Sequence, residues 1–193
     1  MTDLQISINF YGPVGDVVTA FFVSSEIELQ RAAIERAGCR CAGITLAFKS
    51  SGGDTAEGER IVDALAATGL PVTALIEGAA DSCASWAAVM ADRVYARPAA
   101  TMRVHRAQAG HDGPLTPEEQ RTIDLWSDTT AAIYFAKSGR PVSFWADLMA
   151  QDTRLDADEL LELGLIDAVL ATGAPVPEAP DTTSHTRHAP PRI

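Results

Sequence analysis

Residues 78–92 read GAADSCASWAAVMAD and pass from a β-prone to a helix-prone composition within a few positions. Just upstream, residues 71–77 (PVTALIE) form a short apolar run opened by a proline, which suits a strand buried in a sheet. Just downstream, residues 83–91 are rich in alanine, with Trp86, Val89 and Met90, and a helix of such small residues packs closely on that sheet. Ser82 sits at the junction, where the free N–H groups of the first helical turn and the helix dipole favour developing negative charge. A hydroxyl there is suited to nucleophilic attack; equally, Asp81 or Ser82 is suited to be the N-cap of a core helix. The two readings part on what else the chain brings to this corner.

Towards the N-terminus, residues 43–48 read as a strand that runs into Lys49-Ser50-Ser51-Gly52-Gly53, and Asp54 opens a helix over 55–68 with Ile61, Ala64 and Leu65 inward and Gly69 as its stop. The glycine pair reads as a plain turn or as a loop whose backbone takes positive φ and approaches a substrate closely. In the second case the N–H groups of Gly53 and Cys83 are placed to hold an oxyanion. Residues 4–11 alternate Ile6, Ile8 and Phe10 with polar positions, a half-buried first strand broken by Gly12-Pro13. Residues 17–23 then read as a second strand, and Ser24 or Ser25 as the cap of a helix over 26–37 with Ile27, Ala33 and Ile34 on one side, ended by Gly38. Strand and helix alternating at this spacing predict βαβ units and a largely parallel sheet.

Towards the C-terminus, residues 93–97 form a second β-prone run, and 101–105 a strand whose end delivers His105. The loop RAQAGHDGPL (106–115) holds His111 with no orienting acid beside it. Residues 116–138 form a long helix, with Pro117 at its first position and Thr116 and Glu119 as a capping box. Its Ile123, Trp126, Ile133, Tyr134 and Phe135 exceed what a solvated helix needs, so it either packs on its own core or self-associates. A short helix over 143–149, with Asp147 as a solvated acid, leads to Asp152, which lies in the loop entering a helix marked by Asp156, its capping-box partner Glu159, and Gly164. Ser82, His105 and Asp152 thus follow one another as nucleophile, base and orienting acid, all at element ends where side chains can converge.

One folded domain over 1–170 is the expectation for 193 residues that are 47% hydrophobic and 21% charged, followed by a proline-rich, disordered tail over 171–193 that carries His185 and His188. Lys and Arg number 15 against 26 Asp and Glu, a net charge of −11, which argues against nucleic acid or an anionic membrane surface and for protein partners. Residues 1–26 lack a basic stretch followed by an apolar core, and there is no long apolar run, so a cytoplasmic protein is expected. Cys39 and Cys41 lack a second ligand pair at metal spacing and read as small residues around a helix-to-strand turn; no metal site is expected.

SSGG, then PVTALIEGAADS, RPAATMRVH and QDTRLDADELLELGLIDAVL, in this order and rough spacing over residues 5–170, resemble the proteolytic subunit of the Clp protease (ClpP) and the ClpP-like phage head-maturation proteases. The resemblance implies an α/β fold of the ClpP/crotonase superfamily, a spiral of ββα units with a protruding handle helix, here residues 116–138, through which subunits pack into rings. It implies Ser82 as nucleophile, His105 as base, Asp152 as acid, and Gly53 as an oxyanion donor. The loop after His105 would border the cleft, where an extended peptide adds as a strand, bringing Gly52, Ala107 and Gly110 against substrate. It implies a serine endopeptidase with no metal or organic cofactor, acting on protein or peptide as a homo-oligomeric ring. An unfolding ATPase is the partner in ClpP itself; the phage type cuts capsid scaffolding proteins without one.

Three positions depart from the family pattern: Ser51 stands where proline is usual, Cys83 where methionine or alanine is, and Asp81 where a small residue precedes the nucleophile. A carboxylate about 6 Å from the developing oxyanion would cost about 2–3 kcal/mol at an effective dielectric near 20, and slow acylation by about two orders of magnitude. A carboxylate that caps the helix instead would cost far less. Two other classes stay open: a catalytically attenuated ring-forming scaffold or regulatory homologue, and crotonase-type acyl-CoA chemistry, which has no need of Ser, His and Asp in this order.

Overall fold

The computed structural model describes residues 2–177; the remainder of the expected tail, 178–193 with His185 and His188, lies outside the described residues. β1 (Asp3–Tyr11), β2 (Arg40–Ser50), β3 (Val72–Asp81) and β4 (Arg93–Ala96) run parallel side by side, with β7 (Ala168–Val169) beyond β4. β2 buries Ile44, Leu46 and Phe48 on one face, and Phe48 stacks on Phe10 of β1 at 4.5 Å. The first five residues of β3 are buried on both faces, as a central parallel strand requires. The mixed α/β architecture with its mainly parallel sheet is the class expected from the alternating pattern.

β3 forks at the corner that matters. Its first half pairs with β4, and its last residues pair instead with β5 (Thr101–Val104): Ala79 with Thr101, Ala80 with Met102, Asp81 with Arg103. Between Phe48 and Ser50 the register against β2 jumps, so β3 spends extra residues at 77–79. A bulge of that kind re-aims a strand, and the small Gly78-Ala79-Ala80 side chains permit it. The strand therefore continues to Asp81, four residues beyond the apolar run that announces it.

Three expectations are corrected. Residues 17–23 are not a strand: α1 is Ala20–Arg36, capped by Thr19, whose side chain accepts from the Phe22 N–H. The Glu57 carboxylate also accepts from the Ala20 N–H at 2.6 Å, a tertiary contact that overrides the β propensity of Val-Val-Thr-Ala-Phe-Phe-Val. α1 buries Val23, Ile27 and Ile34, whereas Ala33 is exposed. The stretch after Asp152 is not a loop but β6 (Thr153–Asp156), antiparallel to β5. Its local sequence is polar because only Leu155, opposite Met102, faces the core.

Three further helices begin where their caps predict. α2 (Thr55–Ala67) is capped by Asp54. α4 (Pro117–Ser138) and α6 (Ala157–Leu163) carry the capping boxes of Thr116 with Glu119 and Asp156 with Glu159, and each ends on a left-handed glycine, Gly139 and Gly164. α5 (Val142–Ala150) packs Trp145 against Tyr134 of α4 at 5.1 Å, with both side chains fully buried. Tyr134 and Ile133 thus belong to the protein's own core, while Leu125 and Phe135 of the same helix stay exposed. Past β7 the chain makes a turn at 171–174, held by the Arg97 guanidinium on the carbonyls of Ala171 (2.7 Å) and Ala174 (2.9 Å). Among the described residues no helix is long and apolar enough to cross a membrane.

Candidate active site

Ser82 joins β3 to α3 (Cys83–Val89) with φ 55° and ψ −130°, a conformation L-residues rarely adopt. Several contacts impose it. The Ser82 N–H continues the β3–β5 ladder onto the Arg103 carbonyl at 2.9 Å, and its own carbonyl accepts from both the N–H and the hydroxyl of Ser85. Because the Ser85 hydroxyl donates to Ser82, the buried Tyr134 phenol donates to Ser85, so α4 clamps the turn from beneath. Burial pushes the Tyr134 phenol far up, and it stays a donor at any ordinary pH. Ser82 occupies the N-cap position of α3 but makes no capping bond, and among the described residues its hydroxyl has no hydrogen-bond partner. The capping role is not used; the hydroxyl is left free.

His105 follows β5 and faces the same shallow cleft as Ser82, bordered also by Thr55, Cys83 and Ala107. Its Nδ1 lies 2.7 Å from the Arg106 carbonyl. A carbonyl only accepts, so Nδ1 carries the proton, and Nε2 is the nitrogen left to face the cleft as the acceptor when the base acts. The loop behind it is anchored: the Arg106 N–H reaches Met149 of α5, and the Ala107 N–H reaches the Ser127 hydroxyl of α4. Gly110 does not border the cleft; it lies in the exposed part of the loop with open space around it.

The N–H groups of Gly53 and Cys83 have no carbonyl partner among the described residues. Gly52 is buried against the start of α3, where a Cβ would come within 2.5 Å of the Asp81 carbonyl and 2.6 Å of the Ser82 Cβ. Gly53, at φ 150°, lies against Val14 as closely. Burial pushes the Cys83 thiol up to about 12, so it remains an inert SH.

Asp152 is placed beside this group but does not bond to His105. It follows α5 with φ 53°, and its carboxylate is held bidentately by Arg103, Nε to Oδ1 at 2.6 Å and Nη2 to Oδ2 at 2.5 Å. Arg103, then His105 and Arg154, hold the Asp152 carboxyl below its ordinary 3.8. Asp81 takes neither of its two expected orientations. Its Oδ1 accepts from the Arg103 N–H at 2.9 Å and its Oδ2 pairs with Arg154 at 3.1 Å, on the β5–β6 side.

Asp81→Ala is therefore expected to weaken the fold by about 1–2 kcal/mol, chiefly through the Arg103 amide left unpaired, since Arg154 is half exposed and keeps its bond to the Thr101 hydroxyl, and not to raise activity. Urea unfolding beside an activity assay checks this; faster turnover at unchanged stability would restore the electrostatic reading.

His111 pairs with Glu119 at 2.9 Å. The Glu119 carboxylate raises the His111 imidazole above its ordinary 6.5, while Thr116 and then His111 bring Glu119 down to about 2. The histidine contribution is complete below 6.5 and lost as pH rises through its raised value; the glutamate contribution is complete above 4.5 and lost towards 2. Amide exchange at the start of α4, corrected for intrinsic rates, should show greatest protection between these limits. Protection that keeps rising above pH 8 would contradict the pairing.

Trp86, Trp126, Thr130 and Tyr134 also border the cleft, with Trp86 stacked on Trp126 at 6.2 Å. Sequence reading passed over their place at the site. The signal was present as the i, i+4 stripe 126, 130, 134 on α4.

A strand-to-helix turn that presents an unpartnered serine beside a histidine, on a mainly parallel α/β sheet, defines a serine-hydrolase-like corner. The Clp protease family model matches residues 25–173, well over half of the chain. The protein belongs to the Clp protease family, serine peptidases that are generally oligomeric and act on protein substrates.

Proposed function

We propose that the protein is a serine endopeptidase of the ClpP type, with Ser82 as nucleophile, His105 as general base, Asp152 as the acid that orients it, and the Gly53 and Cys83 N–H groups as oxyanion hole. The observation that carries this reading is the Ser82 turn, with its hydroxyl free, the Gly53 and Cys83 N–H groups claimed by no carbonyl among the described residues, and its cleft shared with His105. His105 Nε2 takes the Ser82 proton as Oγ attacks the peptide carbonyl, and the two amides stabilise the tetrahedral oxyanion. The imidazolium then protonates the leaving amine, and water, deprotonated by the same histidine, hydrolyses the acyl-enzyme. Ala107 and Gly52 border the scissile bond, with Gly110 further along the same loop.

The finer architecture follows from the same reading: α4 serves as the handle of a ββα spiral, and its exposed Leu125 and Phe135 meet another subunit of a ring. A monomer of 20.4 kDa by light scattering at moderate concentration would sink that part. A cytoplasmic location, an unfolding ATPase partner or a phage maturation role all fit such a ring. The primary test is a fluorophosphonate probe on the full chain: the adduct is expected on Ser82 by peptide mass, and absent from Ser82→Ala. An intact, folded wild type with no adduct at Ser82 overturns the peptidase assignment.

A further inference from the structure

We infer that Arg103 is a positioning residue that holds Asp152 off His105, so that the relay of the triad is open until that ion pair is released. The inference rests on the peptidase reading of Ser82, His105 and Asp152.

The β5–β6 register carries the argument. Arg103 lies opposite Arg154 and Val104 opposite Thr153. The ladder ends there: His105 and Asp152 are the next residues on either side, and a φ of 53° turns Asp152 out of the register. Val104 is buried, so Arg103 and His105, two apart along β5, lie on its other face. Asp152 thus stands at the end of the ladder, near His105 and diagonal to Arg103. The carboxylate takes the diagonal and meets the guanidinium fork with both oxygens, while His105 Nδ1 donates to a backbone carbonyl.

The fold also explains why an arginine is tolerated there. Arg103 and Arg154 are like charges directly opposite, an arrangement that costs energy unless countered. Asp152 counters the first and Asp81 the second, Asp81 also accepting from the Arg103 N–H. Asp81 on β3, Arg103 on β5, Arg154 on β6 and Asp152 just before β6 thus form one neutral set. Asp81, the departure before the nucleophile, belongs to this set rather than to the oxyanion site. Removing the Arg103 charge leaves the Asp81–Arg154 pair intact and removes the repulsion, so Arg103→Met should fold.

The Arg103–Asp152 pair is about two-fifths exposed on both sides. An ion pair of that kind shifts an equilibrium by a modest factor, so fluorophosphonate labelling of Ser82 is expected to be about fivefold faster in Arg103→Met than in wild type. Arg103→Lys, a point charge without the fork, should fall between them. The gain should vanish in Arg103→Met with Asp152→Asn, because it runs through the Asp152 carboxylate.

A second readout needs no activity. A strongly deshielded Nδ1–H resonance of His105, assigned by its loss in His105→Gln, should appear in Arg103→Met and be absent from wild type. A labelling gain that persists with Asp152→Asn overturns the inference. So do an unchanged labelling rate in folded Arg103→Met and the deshielded resonance already present in wild type. Should no variant label at Ser82, the peptidase reading fails, and the imidazole resonance alone still decides whether Arg103 keeps Asp152 from His105.

Discussion

Ser82→Gly is expected to melt at a higher temperature than wild type and to lose peptidase activity completely. The serine occupies φ 55°, ψ −130°, and a non-glycine residue held in so sparsely populated a region costs about 1–3 kcal/mol. Glycine removes that strain but returns about 0.5–1 kcal/mol through its freer unfolded chain. The net gain is on the order of 1 kcal/mol, or about 2–4 °C for a domain of this size. Loss of the nucleophile lowers turnover by up to about 10⁶. Ser82→Ala is the control, because it removes the hydroxyl and keeps the strain. Thermal unfolding of the three proteins side by side decides the matter: if glycine is no more stable than alanine, strain is not stored at the nucleophile. The trade is physical, since only the strained turn leaves Oγ uncapped and aimed into the cleft shared with His105.

Gly52→Ala is expected to destabilise the protein by about 2–4 kcal/mol and to abolish labelling of Ser82, combining an overpacked contact with a left-handed backbone at φ 79°. The added Cβ meets the Asp81 carbonyl and the Ser82 Cβ, so the loop after β2 and the start of α3 must move apart. Gly53→Ala meets the Val14 carbonyl and should behave alike. Gly69→Ala separates the two causes. Gly69 also has positive φ, at 70°, but open space around it, so alanine there costs only the backbone term, about 1 kcal/mol. Urea midpoints for the three variants, with labelling measured below the transition, test this. Equal losses at Gly52 and Gly69 would mean that Gly52 does not pack against the nucleophile turn as described. The glycine pair is thus more than a plain turn: it sets the distance between two loops that meet at Ser82.

Much of the fold is legible in short-range chemistry. A capping box is a matter of residues three apart, and the boxes at Thr116 and Asp156 start α4 and α6 where they were expected. Gly139 and Gly164 end the same helices in the left-handed conformation that an achiral residue tolerates best. The period-2 pattern of β1 and the apolar run of β2 predicted strands that do pair, in parallel, and the serine at the β3–α3 junction was visible from the change of composition alone. Where the local signal was ambiguous, partners distant in sequence decided. Residues 17–23 are β-prone by themselves, yet Glu57, 37 residues beyond Ala20, draws the start of α1 into that stretch. β6 has almost no strand signal of its own and exists because β5 offers it a ladder.

The candidate site divides along the same line. The amino-acid sequence by itself determined which side chains are delivered to element ends: Ser82, His105, Asp152 and the Gly52-Gly53 pair each lie beside a helix start, a strand end or a loop marked by its own neighbours. Only the tertiary structure decided whom they meet. Asp81 finds Arg154 across 73 residues, and Asp152 finds Arg103 across 49 in place of His105. Propensities and caps act over three or four residues, whereas the partner of a charged side chain is set by sheet register, which exists only once the strands have paired.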